Sequence, residues 1–579
     1  MRVLTLVVLI LAYVLPLSAA DVIRVSASCP GADASTLDLT VLMPIFEQIK
    51  GLDELIRVET EARNDGTGTL SVYFDPKADI SFAEIRVQNR VSLALPLLPD
   101  SCRRLGISVR KIPSGPPQFW LALTSTDPDQ DEAFLGRFAI VNIKPECAGL
   151  PGVVDVRVLG GKDYRLQILL NPHSLAACKL TASDVVDTLR RQNLQVGANG
   201  AITDKQSQSA FSAPSRLKSP KDFESVILRV TADGQVIRLK EVAQVELNMP
   251  AAVGFARVDG KPAALLDVTA WPKQVTADQL VNDTIADALA PGMKLISLAD
   301  RSVDRLLSVE VRLPSGSTLE QAQKVVAKAT ELIRGLPGKS TVFAFADGRE
   351  PSLAMIFIKV GAKDSPTAKD LEKALAGISG ATIRTGDVPP SEAAFPARMA
   401  LLDPGERGEE QFHEAAEHVL ATLAKDKDLT GPAAFPLSLT AQSIIVDRDK
   451  CAKVGVELDD IFTTLQTSLG GVQAVDAIRF GKLCPVIVKT DPQFARFPED
   501  LTKLMVRGAA GEMLPLDTLI KIRQSSAPAA VIRINGQRSI VITAASASGK
   551  SSNQVAAKCV KLAREVLPQG YRAIDLTGP

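Results

Sequence analysis

The sequence predicts an α+β protein built from two homologous halves. Three observations point there. The apolar pattern switches repeatedly between a period of about 2 and a period of about 3.6. Several blocks of sequence recur at one fixed offset of 276 residues. The chain has 579 residues, 46% hydrophobic and 23% charged, a globular composition with room for several domains. Lys+Arg and Asp+Glu both number 66, so the net charge is zero and a strongly basic nucleic-acid binder is excluded.

Arg2, an apolar run over 3–17 and then Ser18-Ala19-Ala20 read as a secretory signal peptide or an anchor remnant, with cleavage before Asp21. The run falls short of the roughly 20 residues a membrane span needs, and no later stretch reaches that length. The seven cysteines form no C-x-x-C pair. Their odd number leaves at least one free thiol per chain or an intermolecular pair, and one or two disulfides whose pairing the spacing does not fix.

The first elements follow from local pattern. Residues 22–28 alternate as a strand, and 33–50 repeat as a helix with Asp33 at its N-cap. Strands 55–61 and 69–74 are joined by Asn64-Asp65-Gly66, a turn signal. Helix 81–95 and strand 106–112 complete a β-α-β-β-α-β order, the ferredoxin-like unit. A second unit fits 118–195, with strand 118–124, helix 131–148, strands 153–158 and 164–170, and helix 181–193.

The second half repeats this order. Strand 306–312 leads into helix 318–335, opened by Ser317-x-x-Glu320 as a capping box. Strands 340–345 and 352–360, helix 366–377 and strand 381–385 close the third unit, and a fourth fits 395–469 with helix 407–425. Each half ends in a strand-rich region, 196–298 and 472–576, whose hairpin turns are marked by Asp259-Gly260 and Asn535-Gly536. At the common offset Ile168 meets Ile444, Asn171 meets Asp447, Asp184 meets Asp460 and Thr188 meets Thr464. Arg257-Val258-Asp259-Gly260 meets Arg533-Ile534-Asn535-Gly536.

Motifs that mimic catalysis fail on spacing. His413 and His418 stand five apart, about 140° around a helix, whereas a zinc-binding H-E-x-x-H needs four. Gly549-Lys550-Ser551 ends like a phosphate loop, but Ala544 stands where the first glycine is required. Asp447-Arg448-Asp449 reads as a helix cap rather than a metal site. No G-x-S-x-G elbow occurs, so neither an enzyme nor a cofactor or metal is expected.

Ser26-Ala27-Ser28-Cys29-Pro30-Gly31-Ala32-Asp33-Ala34 resembles the opening of the periplasmic part of resistance–nodulation–division (RND) efflux pumps, closest to the hydrophobe/amphiphile multidrug branch. Asp65-Gly66-Thr67-Gly68-Thr69, Val87-Gln88-Asn89-Arg90, Pro151-Gly152-Val153-Val154-Asp155-Val156 and Gln192-Asn193-Leu194-Gln195-Val196 follow in family order. In the second half Leu313-Pro314-Ser315-Gly316-Ser317, Val342-Phe343-Ala344 and Pro498-Glu499-Asp500-Leu501 match. The resemblance implies four porter subdomains, 21–113, 114–195, 301–390 and 391–470, and two docking subdomains, 196–300 and 471–579.

The resemblance also implies a role and its partners. Amphiphilic small molecules bind in the porter layer of a homotrimer and pass toward an outer-membrane channel held by a membrane-fusion adaptor. The expected compartment is the periplasm, with inner-membrane association through a retained N-terminal segment or a partner. The family's helices between docking and third porter subdomains have no counterpart, since Leu298-Ala299-Asp300-Arg301-Ser302-Val303 runs directly into the next strand. The expectation is a porter-and-docking protein without its own proton-coupled motor, served by a separate RND membrane subunit. The alternatives are a stand-alone ligand-binding or adaptor-docking module and a non-transporting remnant.

For the pocket, Phe119 and Phe343 fall on positions that match the family's phenylalanines, and Leu159 stands where the family has another. Thr67, Thr69, Ser71 and Tyr73 form the polar face of a strand that looks into the pocket in the family. The loop 346–350 is a shortened form of the family's switch loop, and aromatic content is only 4%, which implies a poorer pocket than a drug pump's. Residues 197–214 match the arm that inserts into a neighbouring subunit; they look shorter than the family's, which implies a monomer or weak trimer.

Overall fold

A computed structural model describes residues 21–29, 31–113, 119–127, 130–160, 165–193, 198–203, 208–213, 217, 219–231, 233–248, 254–271, 289–290, 292–298, 305–314, 317–338, 340–347, 352–360, 366–388, 397–435, 438–479, 482–546 and 552–576. The signal-like segment 1–20, most of the loop 346–350 and Gly549-Lys550-Ser551 lie outside the described residues.

Strand Val22–Ser28 sits between Thr67–Phe74 and Ile107–Ile112, antiparallel to both, and Leu55–Arg63 extends the sheet beyond Thr67–Phe74. Because strand side chains alternate, Ile23, Val25, Val58, Ala62, Leu70, Val72 and Phe74 all face one way and are buried. They are covered by helical residues 34–49 and by Ile80–Ala94, which send Leu37, Val41, Leu42, Ile45, Val87 and Val91 into the same core. Asp33 caps the first of these, accepting from the Thr36 amide at 2.6 Å. Among the described residues no helix covers the opposite face of these four strands, which carries Thr67, Thr69, Ser71 and Tyr73.

The halves exchange hairpins. Strand Ala530–Ile534, from the end of the second half, pairs with Leu55–Arg63 of the first unit. Its hairpin partner Gln537–Ser546 pairs with Ala397–Asp403 and Leu429–Phe435. Reciprocally, Gly254–Val258 pairs with Ser340–Asp347 of the third unit, and Lys261–Ala270 pairs with Phe119–Ser125 and Val153–Leu159. Among the described residues this gives two nine-stranded sheets, each mixing strands of both halves. The turns Asp259-Gly260 (φ 51° and 80°) and Asn535-Gly536 (φ 49° and 80°) have the two left-handed residues that a tight hairpin requires.

A four-stranded sheet of Ala243–Asn248, Arg165–Leu170, Lys482–Thr490 and Val472–Arg479 forms a third layer, with Arg165–Leu170 and Lys482–Thr490 parallel. Its pairing and core cross the expected boundaries at 195/196 and 470/471. Strand Arg165–Leu170 and helix Ala182–Gln192, expected in the second unit, build the core of this layer with Val472, Val486 and Val488. The second unit is completed instead by Lys261–Ala270 and Met293–Ser297 from beyond the boundary. The fourth unit is likewise completed by Gln537–Ser546 and Arg572–Asp575.

The repeat is visible in local detail. Asn171 and Asp447, equivalent by sequence, cap equivalent helices, accepting from the amides of His173 at 3.0 Å and Lys450 at 3.0 Å. Asp184 and Asp460 both lie in the first turn of equivalent helices, Ala182–Gln192 and Leu458–Leu469. Helix Leu319–Arg334 begins one residue later than expected: Thr318 and Gln321, not Ser317 and Glu320, form its capping box. A disulfide joins Cys29 and Cys102, while Cys147, Cys178, Cys451, Cys484 and Cys559 form no disulfide. The arm region is a hairpin of Ala198–Thr203 and Gln208–Ala213. Among the described residues no helix is long and apolar enough to cross a membrane.

Candidate ligand-binding cleft

Over the strands of the first unit, the helix-free face of the first sheet is polar by alternation. Thr67, Thr69, Ser71 and Tyr73 point away from the helices and are half-buried. Across the sheet, Tyr73 stands opposite Arg57, Ser71 opposite Glu59 and Thr69 opposite Glu61. On the other side, Ser71 stands opposite Arg24 and Thr69 opposite Ser26. The Arg57 guanidinium lies 4.3 Å from the Tyr73 ring centre, a cation–π contact, and its Nε is 3.1 Å from Glu59. The other Glu59 oxygen accepts from Arg398 of the fourth unit at 3.2 Å. Burial pushes the Tyr73 phenol above its ordinary pKa, and the Glu59 charge adds to it. Burial works against the Arg398 charge, but Glu59 and Tyr73 outweigh it and hold its pKa above the ordinary value.

The helix-free face of the second sheet is apolar around Leu159 and Phe343. Leu159 and Phe343 lie in one cluster with Trp120, Ala122, Phe345, Met355 and Phe357. Trp120 lies tilted 4.8 Å from Phe357 and 6.1 Å from Phe345, and Phe345 and Phe357 stack 5.9 Å apart. Phe343 is 1% exposed and lies beneath the others, whereas Trp120, Phe345 and Met355 are half-buried and keep part of their surface open. The structure therefore brings Leu159 and Phe343 together and separates Phe119 from them. Phe119 points to the opposite face of its strand and packs with Phe134, Phe138 and Val268 under the helices. Its neighbour Trp120 instead packs against the cluster of Leu159 and Phe343.

Charged residues link the two faces. Arg110 of the first sheet reaches Asp155 of the second at 3.9 Å. Arg157 bridges Asp267 at 3.2 Å and Asp347 at 3.6 Å. Asp155, Arg157 and Leu159 alternate along strand Val153–Leu159, so one strand face runs from the polar sheet to the aromatic cluster. Sequence reasoning missed Trp120, Phe345, Phe357, Arg24, Arg57, Glu59, Arg157 and Arg398. For Phe345 the signal was present, two residues beyond Phe343 on one strand. For the arginines it lay in pairings between distant strands.

A polar, hydroxyl-bearing face adjoins an aromatic one, the composition that suits a molecule with an apolar body and a polar end. Among the described residues no group of three or more His, Cys, Asp or Glu side chains is placed to hold a metal. His413 Nδ1 lies 2.8 Å from the Glu409 carbonyl of its own helix.

Comparison with known proteins relates the chain to one family. The AcrB/AcrD/AcrF family model matches residues 10–303 and again 292–578, once per half. The chain is 36% identical over 259 residues to the multidrug export protein AcrF of Escherichia coli, covering 44% of this chain and 25% of that protein. It is 33% identical over 260 residues to the toluene efflux pump membrane transporter TtgB of Pseudomonas putida, covering 44% and 24%. Multidrug resistance protein MdtF of Escherichia coli is 32% identical over 254 residues, covering 43% and 24%. Each match spans about a quarter of the relative's own length.

Proposed function

The chain belongs to the AcrB/AcrD/AcrF family, and from that membership we propose that it binds amphiphilic compounds in the cleft and passes them onward as the periplasmic part of an RND-type efflux system. Its β-α-β-β-α-β units serve as porter subdomains, and the four-stranded layer with its flanking hairpins serves as the docking region. The observation that carries the reading is the junction of the polar face around Tyr73 with the aromatic cluster around Trp120 and Phe345. Among the site residues expected from sequence, Leu159, Phe343, Thr67, Thr69, Ser71 and Tyr73 contribute to the two faces, and Phe119 supports the wall from behind.

Residues 298–304 alone separate strand Met293–Ser297 from strand Arg305–Arg312, too few for a membrane crossing between the halves. This supports a role in which proton coupling comes from a separate RND membrane subunit, with a homotrimer, a membrane-fusion adaptor and an outer-membrane channel as further partners. The same observation favours a second reading, a ligand-binding or adaptor-docking module that does not itself transport. In both, the cleft binds the compound.

The test is equilibrium binding of a neutral apolar dye whose emission rises in apolar surroundings. The dye should bind saturably, and Phe345→Ala should weaken it by about 1–3 kcal/mol, the scale of one large apolar contact. Unsaturable binding, or affinity indifferent to Phe345→Ala in a folded protein, contradicts the reading.

A further inference from the structure

We propose that the cleft selects amphiphiles with an anionic head, and that Arg24 and Arg110 hold that head between them while the tail lies along Asp155, Arg157 and Leu159 toward Trp120 and Phe345. This rests on the cleft being the ligand site.

Arg24 is exposed on an otherwise buried strand, directly opposite Arg110 in the register of Val22–Ser28 against Ile107–Ile112. Like charges directly opposite each other in an antiparallel pair repel and destabilise the sheet. Nearby anions relieve this only in part. Arg110 meets Asp155 at a loose 3.9 Å, and Asp155 keeps roughly half its side chain in water. Among the described residues the Arg24 guanidinium has no hydrogen bond or ion pair, although its surroundings are crowded with them. Arg57, Arg157 and Arg398 are each committed to a carboxylate. Among the described residues of this face Arg24 is the one cation that offers a free planar fork, which matches a carboxylate or sulfate in two-point contact.

The surroundings fit an anion in other ways. Ser71 stands opposite Arg24 on one side, and the next row on the same face holds Ser26 between Thr69 and Ser108, so hydroxyl donors flank the pair. Water reaches Arg24, yet the surrounding protein still depresses its pKa. Burial is the main cause, offset in part by Tyr73, Asp155 and Glu61, with Arg157 adding to the depression. A cation in this position lies in a cleft rather than on an open surface, and there a counter-ion binds more strongly than in bulk water.

The distance to the aromatic cluster sets the tail. Asp155 and Leu159 are four residues apart on one strand, about 13 Å at about 3.3 Å per residue. A medium-chain alkyl tail with its head at Arg110 and Arg24 spans that length and ends on Leu159, Trp120 and Phe345. The committed Arg157 lies midway and is bound to Asp267 and Asp347, so it does not compete for the head.

The experiment measures displacement of the neutral dye from the full chain by three probes with one tail and different heads: dodecanoate, dodecyl maltoside and dodecyltrimethylammonium, each below its micelle concentration. Dodecanoate should displace best. Arg24→Gln should weaken it about 10- to 100-fold, the range for a lost charge-assisted contact, while leaving dodecyl maltoside within about twofold of the parent. Arg24→Lys should recover part of the loss, and added salt should weaken dodecanoate but not the maltoside. Arg110→Gln provides a second variant on a different strand. If dodecyltrimethylammonium binds as well as dodecanoate, or both glutamine variants leave dodecanoate unchanged while the dye still binds, the anionic selection is wrong and the cleft reading stands. If acetate displaces as well as dodecanoate, the arginines form a simple anion site and the amphiphile proposal is overturned. If neither the dye nor any probe binds, both fall.

Discussion

Asp259 and Asn535 make the same two hydrogen bonds in opposite directions between the halves. The Asp259 carboxylate accepts from the Val342 amide at 2.9 Å, and its own amide donates to the Val342 carbonyl at 2.8 Å. Asn535 does the same to Val58, at 2.8 Å and 2.8 Å. Each turn of one half is thus pinned to the second strand of the other half's leading unit. Asn535→Ala removes the bond to the Val58 amide and leaves alanine at φ 49°, so it should cost about 1–3 kcal/mol in chemical unfolding.

The two following glycines differ, and that difference is testable. Both have φ near 80°, unfavourable for alanine by roughly 1–2 kcal/mol. A Cβ at Gly536 would also stand 2.7 Å from the Phe46 ring, whereas one at Gly260 meets nothing within 4 Å. Gly536→Ala should therefore destabilise measurably more than Gly260→Ala. Equal losses would mean that the hairpin does not press on Phe46.

Arg533 links three elements through Asp38 at 2.7 Å and Glu406 at 2.7 Å. Arg533→Met leaves Asp38 buried without its partner and should cost about 3–5 kcal/mol, while Asp38→Leu with Arg533→Met together should cost much less. Burial raises the Asp38 carboxyl above its ordinary 3.8, more than Arg533 lowers it. The fold then binds the Asp38 proton more tightly than the unfolded chain does. Asp38 withdraws stability as pH climbs from 3.8 through its folded value. Glu406, held down mainly by its hydrogen bond to Arg533, has the opposite sign and contributes stability that is lost as pH falls below 4.5. The stability of the parent relative to Asp38→Asn should fall as pH rises through that window. A flat or rising difference contradicts the assignment.

The Cys29–Cys102 bridge closes a sequence separation of 73 residues beneath the first sheet. Loop closure of this size is worth about 4 kcal/mol in the unfolded chain, and loss of a native bridge commonly costs about 2–5 kcal/mol. Cys102→Ala should lower the unfolding midpoint by that amount. Reductant should lower the parent's midpoint and leave the variant's unchanged.

Burial pushes the Cys147 thiol up to about 12 and the Cys559 thiol up to about 11, and both side chains are nearly inaccessible. Neither forms thiolate at neutral pH, so both should resist a thiol reagent until the protein unfolds. Rapid labelling of either in the native state would show that its core opens locally.

Much of the fold was legible because its signals are local. Asp33 and Asp447 cap the helices they were expected to cap, and both hairpin turns fall where Asp259-Gly260 and Asn535-Gly536 stand. The one-residue shift from Ser317 to Thr318 arose because two overlapping capping patterns fit the same stretch. The pairing of strands across the expected subdomain boundaries was not legible. Which distant strand completes a sheet depends on pairing, and Gly254–Val258 and Lys261–Ala270 return to units that local pattern had already closed. The same limit governs the cleft. Phe119 and Trp120 are adjacent, and only the register against Asp267 and Val268 decides which of them faces Leu159.

Trp120 supplies the most direct measurement of the central claim, that amphiphiles bind where the polar and aromatic faces meet. The chain has only two tryptophans, so Trp271→Phe leaves Trp120 as the single reporter within the cleft. Titration of that variant with an amphiphile should shift and saturate the Trp120 emission, and Phe345→Ala should move the midpoint to higher concentration. An emission that does not change while the neutral dye still binds would place the ligand elsewhere and contradict the account.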